Sequence, residues 1–204
     1  MDFVRPARAV SLQLLAGRGH YDEVIGAVLD AQVSIWIATA NLKELMIEDA
    51  RAAPGRRRGG RRVRYRSVIG ALDERVGRGV ELRLLHAGVP SGPFARELRR
   101  HPRLVGALRT CPRVHFKAVI VDGGFLYLGS ANWTGAGLGA KGVGRRNFEL
   151  GVVTRDEAML DEVQGMFDRV WRGAECAACK LRDECGAPLD GLAARVRRSS
   201  RPRP

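Results

Sequence analysis

The fold and function of the chain are decided by one stretch, His115-Phe116-Lys117-Ala118-Val119-Ile120-Val121-Asp122, which is followed by Gly129-Ser130-Ala131-Asn132. In a strand, residues two apart point to the same face, so a strand over residues 114–121 projects His115 and Lys117 together. The alternate positions 116, 118 and 120 are apolar and predict a buried face. A second strand over residues 125–128 brings Ser130 and Asn132 alongside the pair. The pattern therefore predicts an anion-binding site where these two strands meet.

These residues resemble the signature of the phospholipase D superfamily, which has the order His-x-Lys-x4-Asp-x6-Gly-Ser-x-Asn. All six diagnostic positions are present within eighteen residues, and Asn147-Phe148-Glu149 resembles the additional acidic element of the family. With the surrounding helix and strand pattern, the resemblance covers roughly residues 10–172. It implies a phospholipase D-like α/β sandwich, in which helices flank a mixed, largely parallel central sheet.

Hydrophobic spacing predicts the elements around the motif. Helices are predicted at residues 21–31, 42–50, 67–76, 94–100 and 156–171, and further strands at residues 10–15, 32–40, 80–86 and 148–154. This alternation is typical of an α/β sandwich. We expect residues 1–172 to form the catalytic domain, residues 173–190 to pack on it as a cysteine-bearing segment, and residues 191–204 to be a disordered basic tail.

The charge of the chain is strongly positive. The formal net charge is +13, and 31 of the 35 basic residues are arginines. One interpretation of the arginine excess is codon usage in a GC-rich source. Whatever its origin, the positive field of the chain attracts polyanions. Residues 51–66 hold eight arginines and predict a mobile loop. This loop is either a solvated insertion or an arm that grips a nucleic-acid backbone, with Tyr65 available to stack on a base.

Apolar runs in the chain are too short for a membrane span, and residues 1–5 lack the pattern of a secretory signal. We therefore expect a cytoplasmic protein without a membrane span. No amphipathic segment of the type that lies on a membrane surface is evident, which favours a nucleic acid over a lipid as substrate.

A phosphodiester carries a negative charge that a catalytic site must neutralise before a nucleophile can attack. The reference pKa of imidazole, about 6.5, makes both protonation states of His115 available near neutral pH. Lys117 supplies a positive charge, and the side chains of Ser130 and Asn132 can donate hydrogen bonds to phosphate oxygens. Family resemblance further implies that Glu149 accepts a hydrogen bond from the imidazole, and that Asp122 supports the fold near the site without a catalytic role.

One imidazole cannot attack phosphorus and protonate the leaving oxygen on the opposite side. Single-motif members of the family solve this with a homodimer, so the resemblance implies that His115 of one subunit forms a phosphohistidine while the partner subunit's His115 acts as acid and then base. The resemblance implies no cofactor for catalysis.

The four cysteines predict a structural site. Cys176-x2-Cys179-x5-Cys185 forms one group, and Cys111 lies far upstream but four residues before His115. The spacing resembles the iron–sulfur staple of RecB-like nucleases, which implies a 4Fe–4S cluster. Zinc in a four-cysteine tetrahedron is chemically as acceptable, and free thiols or disulfides are further alternatives.

Taken together, the sequence favours a metal-independent phosphodiesterase, specifically a homodimeric nuclease that cleaves DNA or RNA through a phosphohistidine. A phospholipase D or phosphatidyl transferase is the first alternative. The second is a nucleic-acid-binding module with negligible turnover.

Overall fold

The computed structural model describes residues 2–49, 55–57, 60–62 and 64–191, with the backbone alone described at residues 55–57 and 60–62. The strands are β1 (Gln13–Ala16), β2 (Ser34–Thr39), β3 (Met46–Glu48), β4 (Gly55–Arg57), β5 (Gly60–Arg62), β6 (Tyr65–Ser67), β7 (Glu81–His86), β8 (Leu108–Thr110), β9 (Lys117–Val121), β10 (Phe125–Gly129) and β11 (Leu150–Thr154). The helices are α1 (Gly26–Asp30), which continues a π-helical turn at Tyr21–Ile25, α2 (Val68–Gly77), α3 (Gly92–Leu98) and α4 (Glu157–Trp171). Short 3₁₀ segments lie at Pro102–Ala107 and Val143–Arg145.

Seven strands form one sheet in the order β1-β11-β10-β9-β2-β7-β8. β7 pairs in parallel with both β2 and β8, whereas the other four pairings of this sheet are antiparallel. The predicted α/β fold with a mixed sheet is confirmed, but the sheet is not largely parallel. A parallel connection needs a crossover of about a dozen residues or more, and only residues 122–124 separate β9 from β10.

The sheet is covered on both faces. Along β9, Val119 and Val121 face the core cluster shared with α1 and α2, whereas Ala118 and Ile120 face α4. All four side chains are at most 5% exposed. The sequence predicts one buried face for this strand, and the structure buries both because helices pack on both sides of the sheet. Polar function is thereby confined to the strand ends.

The predicted helices that flank the sheet are confirmed with small shifts at their ends. The Ser67 hydroxyl caps α2 by accepting a hydrogen bond from the Ile69 N–H (3.2 Å), and the Asp156 carboxylate caps α4 by accepting from the Met159 N–H (2.9 Å). In the described parts of the chain, no helix is both long enough and apolar enough to cross a membrane.

The helix predicted at residues 42–50 is wrong. Leu42 instead forms a β-bridge with Trp133, and β3 pairs antiparallel with β6. Partners that are distant in the sequence thus override the local helical spacing, as strand formation depends on its neighbours more than on local propensity.

The arginine-rich segment has strand geometry where the structure describes it. β4 pairs antiparallel with β5, and Tyr65 and Arg66 belong to β6. The loop predicted over residues 51–66 is therefore corrected at these positions. Two short strands satisfy each other's backbone groups and need no buried face of their own. Residues 50–54, 58–59 and 63, and the tail at residues 192–204 that was predicted to be disordered, lie outside the described residues.

Asp122 ties the end of β9 to the start of β2. Its backbone has a φ of 52°, which few non-glycine residues adopt. Its carboxylate accepts three backbone N–H groups, those of Gln32 (2.9 Å), Val33 (2.7 Å) and Ser34 (2.8 Å). Burial acts to raise the pKa of Asp122, but these hydrogen bonds and the charge of Arg75 outweigh it and lower the pKa. Asp122 lies at the opposite end of β9 from His115, so it supports the sheet from a distance and not beside the site.

We expect Asp122→Ala to lower the free energy of unfolding by about 2–4 kcal/mol, because three backbone N–H groups lose a charged acceptor. Asp122→Asn keeps one carbonyl oxygen and should lose less. Because the native pKa lies below the unfolded value of about 3.9, the stabilisation is complete above that value and is lost as the pH falls through the native pKa. Urea unfolding of all three proteins at neutral and acid pH measures this. A stability difference between wild type and Asp122→Ala that persists unchanged in acid contradicts it.

Candidate active site

Three neighbouring strands bring the predicted site residues to one end of the sheet. Gly129, the last residue of β10, pairs with the first residue of β9 on one side and with β11 on the other. His115 lies two residues before the start of β9, Ser130 directly follows β10 and Glu149 directly precedes β11. The same end of the sheet receives the carboxyl end of β2, because β2 runs antiparallel to β9.

Lys117 folds back onto His115. Its ammonium nitrogen donates a hydrogen bond to the His115 carbonyl oxygen (2.7 Å) and lies 3.4 Å from the ring Nδ1. The His115 side chain is exposed and Lys117 is half-buried. The pair is adjacent, as the sequence predicts, although β9 begins at Lys117 and His115 precedes the strand. Since Lys117 occupies the Nδ1 side, Nε2 is the ring nitrogen that can meet a substrate, next to a fixed positive charge.

Ser130, Glu149 and Asn147 form a hydrogen-bonded group beside the pair. The Ser130 hydroxyl donates to one carboxylate oxygen of Glu149, and the Asn147 amide donates to the other (3.0 Å). The Leu150 N–H donates to the Ser130 hydroxyl (3.2 Å). Among the described contacts, Glu149 makes no hydrogen bond to His115, and its two oxygens accept from Ser130 and Asn147. The predicted orienting role of Glu149 stays a prediction.

Asn132 is fixed by the end of β2. Its side-chain oxygen accepts hydrogen bonds from the Thr39 hydroxyl (3.2 Å) and from the backbone N–H groups of Ala40 and Asn41 (both 3.1 Å). The Thr39 oxygen also accepts from the Trp133 N–H (2.9 Å). With the oxygen held in this way, the amide NH₂ is the part of Asn132 that can donate to a phosphate oxygen.

The glycine of the Gly-Ser turn is required by close packing. A Cβ at Gly129 would lie 2.7 Å from the Leu150 carbonyl oxygen and 2.3 Å from the Tyr127 hydroxyl. Burial raises the pKa of Tyr127 to about 12, so this phenol stays protonated beneath the turn at neutral pH. Gly129 therefore lets Ser130 approach β11, where it meets Glu149.

The remaining three histidines are engaged elsewhere. Both ring nitrogens of His86 lie near hydrogen-bond partners, at 2.9 and 3.1 Å, and burial lowers its pKa. His101 lies 3.1 Å from a carboxylate oxygen of Asp73. His20 is fully buried with its ring against Tyr127. Among the residues that the structure describes, His115 is thus the one histidine of this chain at the site.

Thr39 and Asn147 are functional candidates that the sequence pattern does not single out. Thr39 positions Asn132, and Asn147 holds Glu149. The signal for Thr39 was a polar residue at the end of an apolar central strand. For Asn147 it was membership of the Asn147-Phe148-Glu149 element, in which only the glutamate received a role.

We expect Thr39→Val to lower the free energy of unfolding by about 1–3 kcal/mol, because the buried Trp133 N–H loses its acceptor. Misplacement of Asn132 should lower kcat by about 10-fold to 100-fold. Urea unfolding and hydrolysis of bis(p-nitrophenyl) phosphate measure the two effects. Thr39→Ser keeps the hydroxyl and serves as the control. A Thr39→Val protein with wild-type kcat shows that Asn132 needs no such support.

The four cysteines come together away from this site. Cys111, Cys176, Cys179 and Cys185 line one cavity on the α4 side of the sheet, and all four are free thiols. Within the described ranges, no group of three or more His, Cys, Asp or Glu side chains is arranged as it stands to hold a metal ion.

Comparison with known proteins relates the chain to one family. A family model described as "Cardiolipin synthase, PLD-like domain" matches residues 25–171, which include every residue of the candidate active site. No curated protein matches the chain.

Solved structures share the fold at low identity. The chain is similar to NucT from Helicobacter pylori, with 15% identity, a TM-score of 0.53, and coverage of 79% of this chain and 95% of that chain. It is also similar to Nuc, a phospholipase D family member from Salmonella typhimurium, with 18% identity, a TM-score of 0.54 and the same coverage of both chains. At these identities the likenesses show a shared fold.

Proposed function

This chain is a phosphodiesterase of the phospholipase D superfamily, and from that premise we propose that it is a metal-independent nuclease that acts as a homodimer on DNA or RNA. The observation that carries the proposal is the convergence of His115, Lys117, Ser130 and Asn132 at one end of the sheet. A nucleophile, a fixed cation and the neutral amide donor of Asn132 there match the requirements of a phosphodiester, while the Ser130 hydroxyl binds Glu149.

In the proposed reaction, Nε2 of His115 attacks phosphorus, a P–N bond forms, and the bond from phosphorus to the leaving oxygen breaks. The partner subunit's His115 gives its proton to that oxygen. It then takes a proton from water, whose oxygen attacks phosphorus and breaks the P–N bond. Lys117 and the Asn132 amide offset the negative charge of the non-bridging oxygens in both steps.

A second copy of the chain is the proposed source of the second imidazole, and an apolar surface beside the site supports this. Phe148, next to Glu149, is fully exposed, and Leu150 is 62% exposed. Leu14, which is 72% exposed, lies on the same sheet face, since it pairs with the residue two positions beyond Leu150. Grouped exposed apolar side chains are typical of interaction surfaces.

Basic side chains around the site support nucleic acid as the substrate. Lys141 and Arg145 are exposed in the segment that leads into Asn147. Lys43 is exposed as well, and its backbone N–H donates to the carbonyl oxygen of Trp133 (3.2 Å), the residue after Asn132. The chain has a net charge of +13. These basic side chains therefore suit a substrate that carries a phosphate at every nucleotide.

The proposal is tested by incubating the protein in EDTA with single-stranded DNA, double-stranded DNA and RNA. We expect cleavage of at least one substrate in EDTA, a rate that falls steeply as the salt concentration rises, and loss of cleavage in His115→Ala. Phosphatidylcholine and cardiolipin vesicles are assayed in parallel.

Two results contradict the proposal. Hydrolysis or transfer of phospholipid without cleavage of nucleic acid shows a phospholipase or phosphatidyl transferase. Binding of nucleic acid without cleavage, and unaltered in His115→Ala, shows a binding module.

A further inference from the structure

The C-terminal cysteine segment, residues 174–190, is held against the domain with very little apolar burial. It contains no helix or strand, and Leu189 is its one buried side chain among the described residues. Ordering a backbone costs about 1–2 kcal/mol per residue, whereas burying one leucine returns about 1.5–3 kcal/mol. Hydrophobic packing alone is therefore far too weak to order this segment.

The path of the segment turns its cysteines toward one place. Three consecutive turns close by backbone hydrogen bonds, from Cys179 to the Cys176 carbonyl (3.1 Å), from Arg182 to Cys179 (3.1 Å) and from Cys185 to Arg182 (3.2 Å). Gly173, at φ 73°, lets the far end return to α4, because a Cβ there would lie 2.3 Å from the Asp190 nitrogen. The three cysteines of the segment thus come to the cavity that Cys111 lines from β8.

We propose that Cys111, Cys176, Cys179 and Cys185 hold an iron–sulfur cluster of the four-iron type. Four thiols from two distant parts of the chain surround one cavity, which is the ligand set of such a cluster. Binding of structural zinc to small thiolate sites contributes about 10–16 kcal/mol to folding. Metal binding of this size is several times what the burial of Leu189 returns.

A single zinc ion is the alternative occupant of the same four thiols. Zinc needs all four sulfurs at about 2.3 Å from one point, and no group of three or more potential ligands in the described ranges is arranged to hold one ion. In a four-iron cluster each cysteine binds a different iron, so the sulfurs surround a wider space. The metal content of the purified protein therefore distinguishes the cluster from zinc.

The cluster would also steady the segment that carries His115, a consequence that rests on the proposed function. The Cys111 N–H donates to the His86 carbonyl at the end of β7 (2.8 Å), and the Val114 N–H donates to the Cys111 carbonyl (3.0 Å). Val114 is 2% exposed and directly precedes His115. Binding of Cys111 to the cluster would therefore hold in place the segment that leads through His115 into β9. The cluster itself is independent of the chemistry at His115.

The test is the metal content of the full chain purified without oxygen. We expect a brown protein with broad absorption in the visible region and about four iron and four sulfide per chain. Cys111→Ser should lose most of the iron and have a lower Tm. Leu181→Ala changes an exposed lining residue without a thiol and should keep the iron. His115→Ala should keep the iron while losing cleavage, which separates failure of the cluster from failure of the proposed function.

Three results overturn the cluster. They are a colourless protein with about one zinc per chain, four thiols that titrate without bound metal after anaerobic purification, and disulfides between these cysteines. Because each is measured on the wild-type protein, the conclusion does not depend on whether Cys111→Ser folds. Circular dichroism of the variant shows whether its loss of iron accompanies loss of the domain.

Discussion

His115→Ala should lower phosphodiester cleavage by at least about 10⁴-fold, the scale of loss seen when a nucleophile is removed from a preorganised site. In the proposed dimer this substitution removes the nucleophile and the general acid together. Since the His115 side chain is exposed and outside the core clusters, the free energy of unfolding should change little. Single-turnover cleavage and urea unfolding, measured on the same preparation, separate the two effects.

His101→Ala is the matched control for His115→Ala. His101 lies beside Asp73 and outside the site, so its loss should leave the chemical step near the wild-type rate. An acid-labile enzyme–substrate adduct should form in wild type and be absent from His115→Ala. If His115→Ala retains the wild-type rate, the assignment of the nucleophile is wrong.

Lys117→Met should lower kcat by about 10²–10³-fold, the usual cost of removing one charge-stabilising group from a closed site. Its ammonium group lies 3.4 Å from Nδ1 of His115 and bonds the carbonyl of the same residue. The substitution removes both the positive charge next to the phosphate and the hydrogen bond to the His115 carbonyl. Pre-steady-state cleavage gives kcat separately from substrate affinity.

Lys117→Arg keeps the charge and alters its shape, so it should retain more activity than Lys117→Met. A comparable loss in both variants would assign the effect to the position of His115 rather than to charge. If Lys117→Met weakens substrate binding but leaves kcat unchanged, Lys117 does not stabilise the transition state.

The sequence predicted what depends on residue type and local spacing. The strand that carries Lys117, the helices that begin at Val68 and Glu157, and the adjacency of His115 and Lys117 each follow from short-range patterns and are found in the structure. Burial of both faces of β9 was not predicted, since it depends on which helices cover the sheet.

Long-range contacts explain the rest of the differences. The segment predicted as a helix at residues 42–50 is held by Trp133 and by β6, and its own sequence contains no sign of either partner. The hydrogen bond from the Thr39 hydroxyl to the Asn132 side chain joins residues 93 positions apart. Glu149 accepts hydrogen bonds from Ser130 and Asn147. Which polar neighbours it meets depends on how the strand ends come together in the folded sheet.

A heterodimer of one wild-type and one His115→Ala subunit shows whether two copies of His115 build one site. Two different affinity tags allow it to be purified and assayed against both homodimers. We expect the heterodimer to cleave at least about 10³-fold more slowly than the wild-type dimer, because either the nucleophile or the acid is missing. A heterodimer with half of the wild-type rate, or a fully active monomer, contradicts it.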